Sequence, residues 1–298
     1  MVISAPQMES PRSQTLGTAM VALAAIGWGT WALFLRGHGP QPIWQSVLVL
    51  LVISAASLPQ ALRTTLRHPR RAWLLLALLG FFEAGNYLLY FAAIDRGPIA
   101  VGVLTHYLAP VVVSALAPLY LREPLGRRTP LALGCSLVGL ALLVLSGGGL
   151  SGAALPAALL GAGSAFFYAG TTLVSKKLLA EFTTAQLLGF HSMVAALLLA
   201  AMAMVAREPL PALRAFLWSP LAGALVVGTG GGTLFYLGLS RIPAQRAAVL
   251  TYLEPLVAAM VGVVAFGETL ALPGLAGAAL ILGGGAAIVL LPPDPRGS

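Results

Sequence analysis

The sequence predicts an all-α integral membrane protein of ten transmembrane helices, arranged as two inverted five-helix repeats. Three observations lead there: a composition poor in charge, apolar runs of membrane-spanning length, and an internal repeat. Of 298 residues, 58% are hydrophobic and 9% charged, and mean hydropathy is +0.91. Soluble domains carry about 25% charged residues, so this chain in water would expose far more apolar surface than soluble monomers tolerate. The apolar runs are continuous over about 20 residues and do not alternate, which favours helices over a transmembrane barrel.

Apolar runs between charged or Pro/Gly punctuation give the spans in order. The first, 16–36, follows the polar segment "MVISAPQMESPRSQT" and closes at Arg36; the second, 43–62, runs into the basic stretch Arg63–Arg71. Spans 72–94, 99–121 and 129–147 follow, holding Glu83, the phrase "LTHYLAP" and Cys135 in turn. The sixth, 153–175, stops at Lys176 and Lys177, and the seventh, 184–206, contains His191. The last three, 219–240, 247–266 and 273–291, carry "GTGGG", "LTYLEP" and a glycine-rich tail. Loops are short, the longest being "REPLPALRAFLW" at 207–218, which leaves no room for a soluble domain. The expected organisation is a cytoplasmic tail 1–15, a first repeat 16–147, a second repeat 153–291 and a cytoplasmic tail 292–298.

With the N-terminus in the cytoplasm, thirteen Lys and Arg residues fall on the cytoplasmic side and four (Arg36, Arg96, Arg207 and Arg214) on the other. That bias has the sign the positive-inside rule requires. The net charge of +8 and the pI of about 10.3 are thereby accounted for by topology, and nucleic acid is not an expected partner. The N-terminus lacks the basic, apolar, cleavage-site order of a signal peptide, so the first helix is expected to remain as an anchor. The expected location is a bacterial-type cytoplasmic (inner) membrane, with both termini cytoplasmic. The single Cys135 excludes an internal disulfide and reads as a packing residue.

Tyr107 and Tyr252 lie 145 residues apart, and the same offset relates Arg96 to Arg241, Pro98 to Pro243, Leu108 to Leu253 and Pro110 to Pro255. It continues through Glu123 to Glu268, Leu125 to Leu270 and Gly139 to Gly284. Arg, Pro, Tyr and Glu each make up well under a tenth of this sequence, so their coincidence signals duplication. Five helices per repeat is odd, so the second copy enters the membrane upside down, an architecture recurrent in secondary transporters that bind solute near the midplane.

These features together resemble the EamA branch of the drug/metabolite transporter superfamily. The likeness rests on ten helices in two halves, "WG" in the first span, and "YLAPVVVSALAPLYLREPL" echoed by "YLEPLVAAMVGVVAFGETL". It covers nearly the whole chain. It implies a carrier of small metabolites, often an exporter of amino acids or related compounds, and it leaves the solute open. It also implies that a glutamate before the ninth-span proline belongs to the shared fold or the shared cycle, and that the seventh span lies towards the periphery.

Ionisable side chains at membrane depth are costly and face a cavity or a partner. Four qualify: Glu83, His106, His191 and Glu254, the candidates for coupling to an ion. Glu83, Asn86, Tyr87 and Tyr90 recur at spacings of three and four, forming one helical stripe. With His106, Tyr252, Trp31 and Tyr168 they make up the expected substrate-binding set; Trp28 is a further lining candidate. At the 145-residue offset Glu83 meets Gly228, so one half presents a carboxylate where the other presents bare backbone. The competing reading is structural: Glu83 paired with His106 or another helix as glue, Glu254 compensating the backbone at Pro255, and each histidine neutral and hydrogen-bonded. Trp44, Trp73 and Trp218 are expected at the interface, and Glu123 and Glu268 as helix caps or loop anchors.

No HExxH motif, CxxC pair or carboxylate cluster suggests a metal, and no glycine-rich stretch ends in Gly-Lys-Ser/Thr. Neither a cofactor nor a catalytic residue is expected. The expected partners are a small-molecule solute, protons as a candidate coupling ion, and the lipid bilayer, with the oligomeric state open. The leading expectation is therefore a secondary-active exporter of amino acids or related metabolites working by alternating access. A passive channel, an importer of sugar-like solutes and, less favoured, an intramembrane enzyme are the alternatives.

Overall fold

A computed structural model describes residues 10–35, 42–96, 102, 105–126, 128–145, 154–212, 219–267 and 272–289. Among them every regular element is helical: α1 (Pro11–Trp28), α2 (Trp31–Leu35), α3 (Pro42–Ala61), α4 (Arg70–Arg96), α5 (Ala109–Tyr120) and α6 (Thr129–Leu145). Then come α7 (Ala154–Leu178), α8 (Thr184–Val205), α9 (Ser219–Gly223), a π-helical segment (Ala224–Gly230), α10 (Gly231–Leu239), α11 (Ala244–Leu250), α12 (Leu253–Phe266) and α13 (Leu272–Val289). Among the described residues, six stretches are long and apolar enough to cross a membrane: Ile43–Ala61, Arg70–Ala93, Leu155–Leu178, Thr184–Val205, Pro220–Leu239 and Ala244–Ala265. Three shorter apolar helices, Ala109–Tyr120, Thr129–Leu142 and Leu272–Gly284, accompany them. Their outward faces are greasy, with Leu119, Val205 and Val264 between 81% and 85% exposed, as suits a bilayer solvent in which backbone groups are satisfied within each helix.

The main helix pairs are α4 with α7, α3 with α8, α6 with α13, and α1 with α10. With no hydrophobic drive between helices in lipid, small residues let backbones approach. Between α4 and α7 the contact is reciprocal: the phenyl ring of Phe167 lies where a Cβ on Gly85 would be, and that of Phe82 where a Cβ on Gly170 would be. Between α6 and α13, Gly139 abuts the Gly277 carbonyl and Gly284 abuts the Ala132 carbonyl.

Four spans expected to be continuous are interrupted. Gly29 and Thr30 separate α1 from α2, and Tyr107–Leu108 and Thr251–Tyr252 form turns before α5 and α12. The prolines explain two of these. Pro110 and Pro255 have no N–H for the carbonyls of His106 and Thr251 four residues earlier, and their rings clash with those carbonyls. The chain tightens instead: the amide of Leu108 donates to Thr105 O at 3.2 Å and that of Glu254 to Thr251 O at 3.0 Å. At the first break glycine itself is needed for packing, because a Cβ on Gly29 would sit 2.6 Å from the Glu254 carbonyl oxygen. The fourth is the π-helical segment before α10, where Thr229 Oγ1 donates to the Ala224 carbonyl five residues back at 3.1 Å.

One end of the bundle is tied by polar contacts. Lys176, at the end of α7, donates through Nζ to the carbonyls of Leu239 (2.6 Å) and Ile242 (2.7 Å), closing the C-terminus of α10 with a cation. Glu123 Oε2 accepts the first amide of α11, Ala244 N–H, at 2.8 Å, so it caps that helix. Burial raises the Glu123 carboxyl above its usual range, opposed by Lys176 and by the Ala244 amide. Glu268, its counterpart in sequence, lies outside the described residues, as does Trp218. Trp44 is only 9% exposed and packs with Leu50, Ala84 and Leu199, which is a core position. Trp73 packs its ring on Phe182 and Phe190.

Candidate functional site

A cavity of about 100 Å³ lies between α1, α2, α3, α4, α7, α8, the π-helical segment, α10 and α12. Its polar lining is Glu83, Asn86, Tyr87, Tyr90, His106, Tyr168, Thr171, Ser192, Tyr236 and Glu254; Trp28, Trp31, Ile53, Phe91, Leu188 and Phe235 supply apolar walls, with Gly228 and Gly232 between them. The helix breaks feed it directly. Trp28 and Trp31 flank the first, His106 precedes the second and Glu254 follows the third. Discontinuous helices at a buried site are a known transporter device, because they aim backbone and first-turn side chains into the cavity.

The α4 stripe forms the most polar wall. Close approach at Gly85 and Gly170 brings Glu83 against α7, where Thr171 Oγ1 donates to Glu83 Oε2 at 3.1 Å. Its other oxygen, Oε1, is 3.8 Å from His191 Nε2, an ion-pair distance. The Glu83 side chain is 13% exposed and that of His191 1%. His191 is further held by the Leu187 carbonyl at Nδ1 and approached by the Tyr236 hydroxyl, 3.5 Å from Nε2.

His106 sits in an aromatic sandwich. Its ring stacks on Tyr168 at 5.3 Å and on Tyr90 at 4.2 Å. Nδ1 is 2.8 Å from Ser164 Oγ, whose own proton goes to the Gly161 carbonyl at 2.7 Å. Ser164 therefore accepts, and His106 Nδ1 is the donor.

Two lining groups have no hydrogen-bond partner within the protein although they are buried: Asn86 Oδ1 and Ser192 Oγ. A buried polar atom left unpaired costs about 1–3 kcal/mol, and native proteins avoid that unless water or a ligand supplies the partner. Among the described lining residues there is no lysine or arginine. Two carboxylates, unpaired oxygens and aromatic faces suit a small solute bearing an ammonium group, which gains from both charge and cation–π contact.

Of the eight residues expected from sequence to bind solute, Glu83, Asn86, Tyr87, Tyr90, His106, Trp31 and Tyr168 line the cavity. Tyr252 does not; it is 1% exposed, its ring 5.8 Å from that of Tyr107 and its hydroxyl donating to the Tyr107 carbonyl at 3.0 Å. Of the four coupling candidates, Glu83, His106 and Glu254 line the cavity, and His191 stands directly behind Glu83. The partner of Glu83 is thus His191 on α8, not His106. Thr171, Ser192 and Tyr236 were not singled out from sequence. Tyr236 alone had a signal, being the 145-residue counterpart of Phe91, which follows the α4 stripe.

The fold and cavity define a class: a multi-pass membrane protein with a polar site enclosed by interrupted helices. The chain belongs to the EamA-like transporter family of the drug/metabolite transporter superfamily, which matches residues 15–145 and again 155–290. It is therefore a transporter, embedded in a bilayer and acting on small solutes. It is 32% identical over 275 residues to a protein of Archaeoglobus fulgidus described as an uncharacterized transporter, a match covering 92% of this chain and 96% of that one. A crystal structure with 24% identity superposes with a TM-score of 0.78 over 94% of this chain and 98% of its own, a likeness of fold.

Proposed function

We propose that this protein is a secondary carrier of the cytoplasmic membrane that exports a small amine-bearing solute, an amino acid or a related metabolite, by alternating access. The observation that carries the reading is the lining of the cavity: Glu83 and Glu254, with Trp28, Trp31, Tyr87, Tyr90 and Tyr168, and no lysine or arginine among the described lining residues. A phosphorylated solute would call for the opposite charge.

Ten spans in two inverted repeats complete the proposal, with both termini cytoplasmic on the positive-inside argument. Support comes from the two successive family matches and from contacts that exchange under the 145-residue offset. Gly139 against Gly277 becomes Gly284 against Ala132, and the equivalent Tyr107 and Tyr252 touch each other. Equivalent surfaces meeting in this way are what a pseudo-two-fold axis produces. The two halves then rock about the enclosed solute, with the breaks before Pro110 and Pro255 absorbing the bend.

The test is counterflow in proteoliposomes with a panel of radiolabelled amino acids and amines at two pH values. A carrier of this type saturates and exchanges labelled for unlabelled amine, and Glu83→Gln abolishes the exchange. Non-saturating flux without counterflow would establish a channel, and transport confined to anionic or sugar-like solutes would overturn the amine assignment.

A further inference from the structure

We propose that Glu83 and His191 form a dyad that shares a single proton, so that His191, which the cavity does not expose, sets the charge of the solute site. The inference rests on the transporter reading for its consequence, but its geometry stands by itself.

The first step fixes the histidine. Nδ1 of His191 faces the Leu187 carbonyl oxygen one turn earlier in α8. A carbonyl only accepts, so Nδ1 carries hydrogen in every protonation state and the basic nitrogen is Nε2. That nitrogen is directed at Glu83 Oε1, 3.8 Å away. The other carboxylate oxygen is already engaged, accepting from Thr171 Oγ1 at 3.1 Å.

The second step counts protons. With Glu83 ionised and His191 neutral, the bare Nε2 accepts from the Tyr236 hydroxyl at 3.5 Å and the pair carries a net charge of −1. One added proton makes the pair neutral, whether held on Oε1 as carboxylic acid beside imidazole or on Nε2 as carboxylate beside imidazolium. The neighbours that face Glu83 do not supply a competing cation. They are Tyr236 on α10, whose hydroxyl is 3.5 Å from Nε2, with Tyr87 and Tyr168 in electrostatic reach of Glu83 and Glu254 in reach of both tyrosines.

The third step explains how the pair is brought together. A Cβ on Gly80 would lie 2.6 Å from Val194 Cβ and 3.0 Å from the His191 carbonyl oxygen. Only glycine lets α4 and α8 approach closely enough at that level. The dyad is thus built by helix packing and not by sequence proximity.

The test is ¹⁵N NMR of histidine-labelled full-length protein in nanodiscs, with the His191 resonances assigned by their loss in His191→Gln. Should that variant not fold, Tyr236→Phe assigns them by shifting the His191 signals alone. The expected result is a protonated Nδ1 and a bare Nε2 in the neutral ring, with an Nε2 resonance that moves between the parent and Glu83→Gln at one pH, because the carboxylate facing that nitrogen is gone. An Nε2–H tautomer, or an Nε2 resonance indifferent to Glu83→Gln, overturns the dyad. Gly80→Ala, which keeps both residues but forces the helices apart, is expected to uncouple them in the same way; coupling unchanged in a folded Gly80→Ala protein counts against the packing step. Because the NMR arm uses no solute, the dyad and the transport reading fail separately: an intact dyad in a protein without counterflow sinks only the latter.

Discussion

Two walls of one cavity, 145 residues apart in sequence, are built from opposite materials. The α4 wall reads Glu83, Asn86, Tyr87, Tyr90, and the offset positions read Gly228, Gly231, Gly232, Phe235. Glu83, Asn86, Tyr87 and Tyr90 line the cavity, as do Gly228, Gly232 and Phe235 opposite. Gly231 lies immediately behind, under the Trp28 indole. One wall supplies charge and hydrogen-bonding groups. The other supplies backbone thin enough for Trp28, Trp31 and Ile53 to lean over it, the site of a Cβ on Gly231 lying 2.6 Å from Trp28 Nε1. A duplicated scaffold with identical walls would hold a symmetric solute. On the proposed amine reading, these two walls offer the solute one end to be charged and another to be stacked.

The largest effect on this contrast is expected from Glu83→Gln. Removing the anion while keeping the shape eliminates a charge-assisted contact of about 1.5–3 kcal/mol, which is roughly a tenfold to hundredfold loss in solute affinity. Isothermal binding of whichever amine shows counterflow checks it, and affinity within twofold of the parent would mean the polar wall is not the recognition wall.

Next comes steric repair of the glycine wall. Gly231→Ala sets its new methyl against Trp28, and overpacking of this kind costs about 1–3 kcal/mol. If the wall must be thin, the variant folds with a lower melting temperature and loses transport. Gly228→Ala, whose Cβ would meet the flexible Ile53 side chain at 3.0 Å and the Trp31 ring only at an ordinary 3.7 Å, is expected to cost less in both. Equal effects at the two glycines would show that their role is general flexibility and not space for an aromatic ring. At the α4–α7 crossing, Gly85→Ala is expected to destabilise by a similar 1–3 kcal/mol, read as a lower denaturation midpoint, since the Phe167 ring occupies the space of the new methyl.

How much of this was legible beforehand depends on the range of the interaction. The α4 stripe follows from helical spacing alone, since residues three and four apart share a face whatever packs against it. The 145-residue offset was legible because tyrosines and glutamates are rare enough here to align. The partner of Glu83 was not legible: His191 reaches it only because Gly80 admits α8, and nothing local to "GFHSM" signals that contact. Thr171 and Ser192 are hydroxyls in apolar helices, and such residues as often bond their own backbone, as Thr172 does to the Tyr168 carbonyl. The helix interruptions were half visible. Pro110 and Pro255 marked their positions, but the break at Gly29 depends on a carbonyl from α12, and the π-helical turn at Ala224–Gly230 has no proline to announce it.

The smallest expected effect separates architecture from recognition. Tyr252 matches Tyr107 at the offset and donates one hydrogen bond to the Tyr107 carbonyl. Tyr252→Phe deletes that hydroxyl and leaves an accepting carbonyl, so stability should fall by about 1 kcal/mol, with solute affinity unchanged. A small drop in denaturation midpoint with intact counterflow is the expected outcome. A loss of affinity would instead mean that the seam between the copies transmits to the cavity, and that residues repeated at the 145-residue offset take part in recognition as well as in the scaffold.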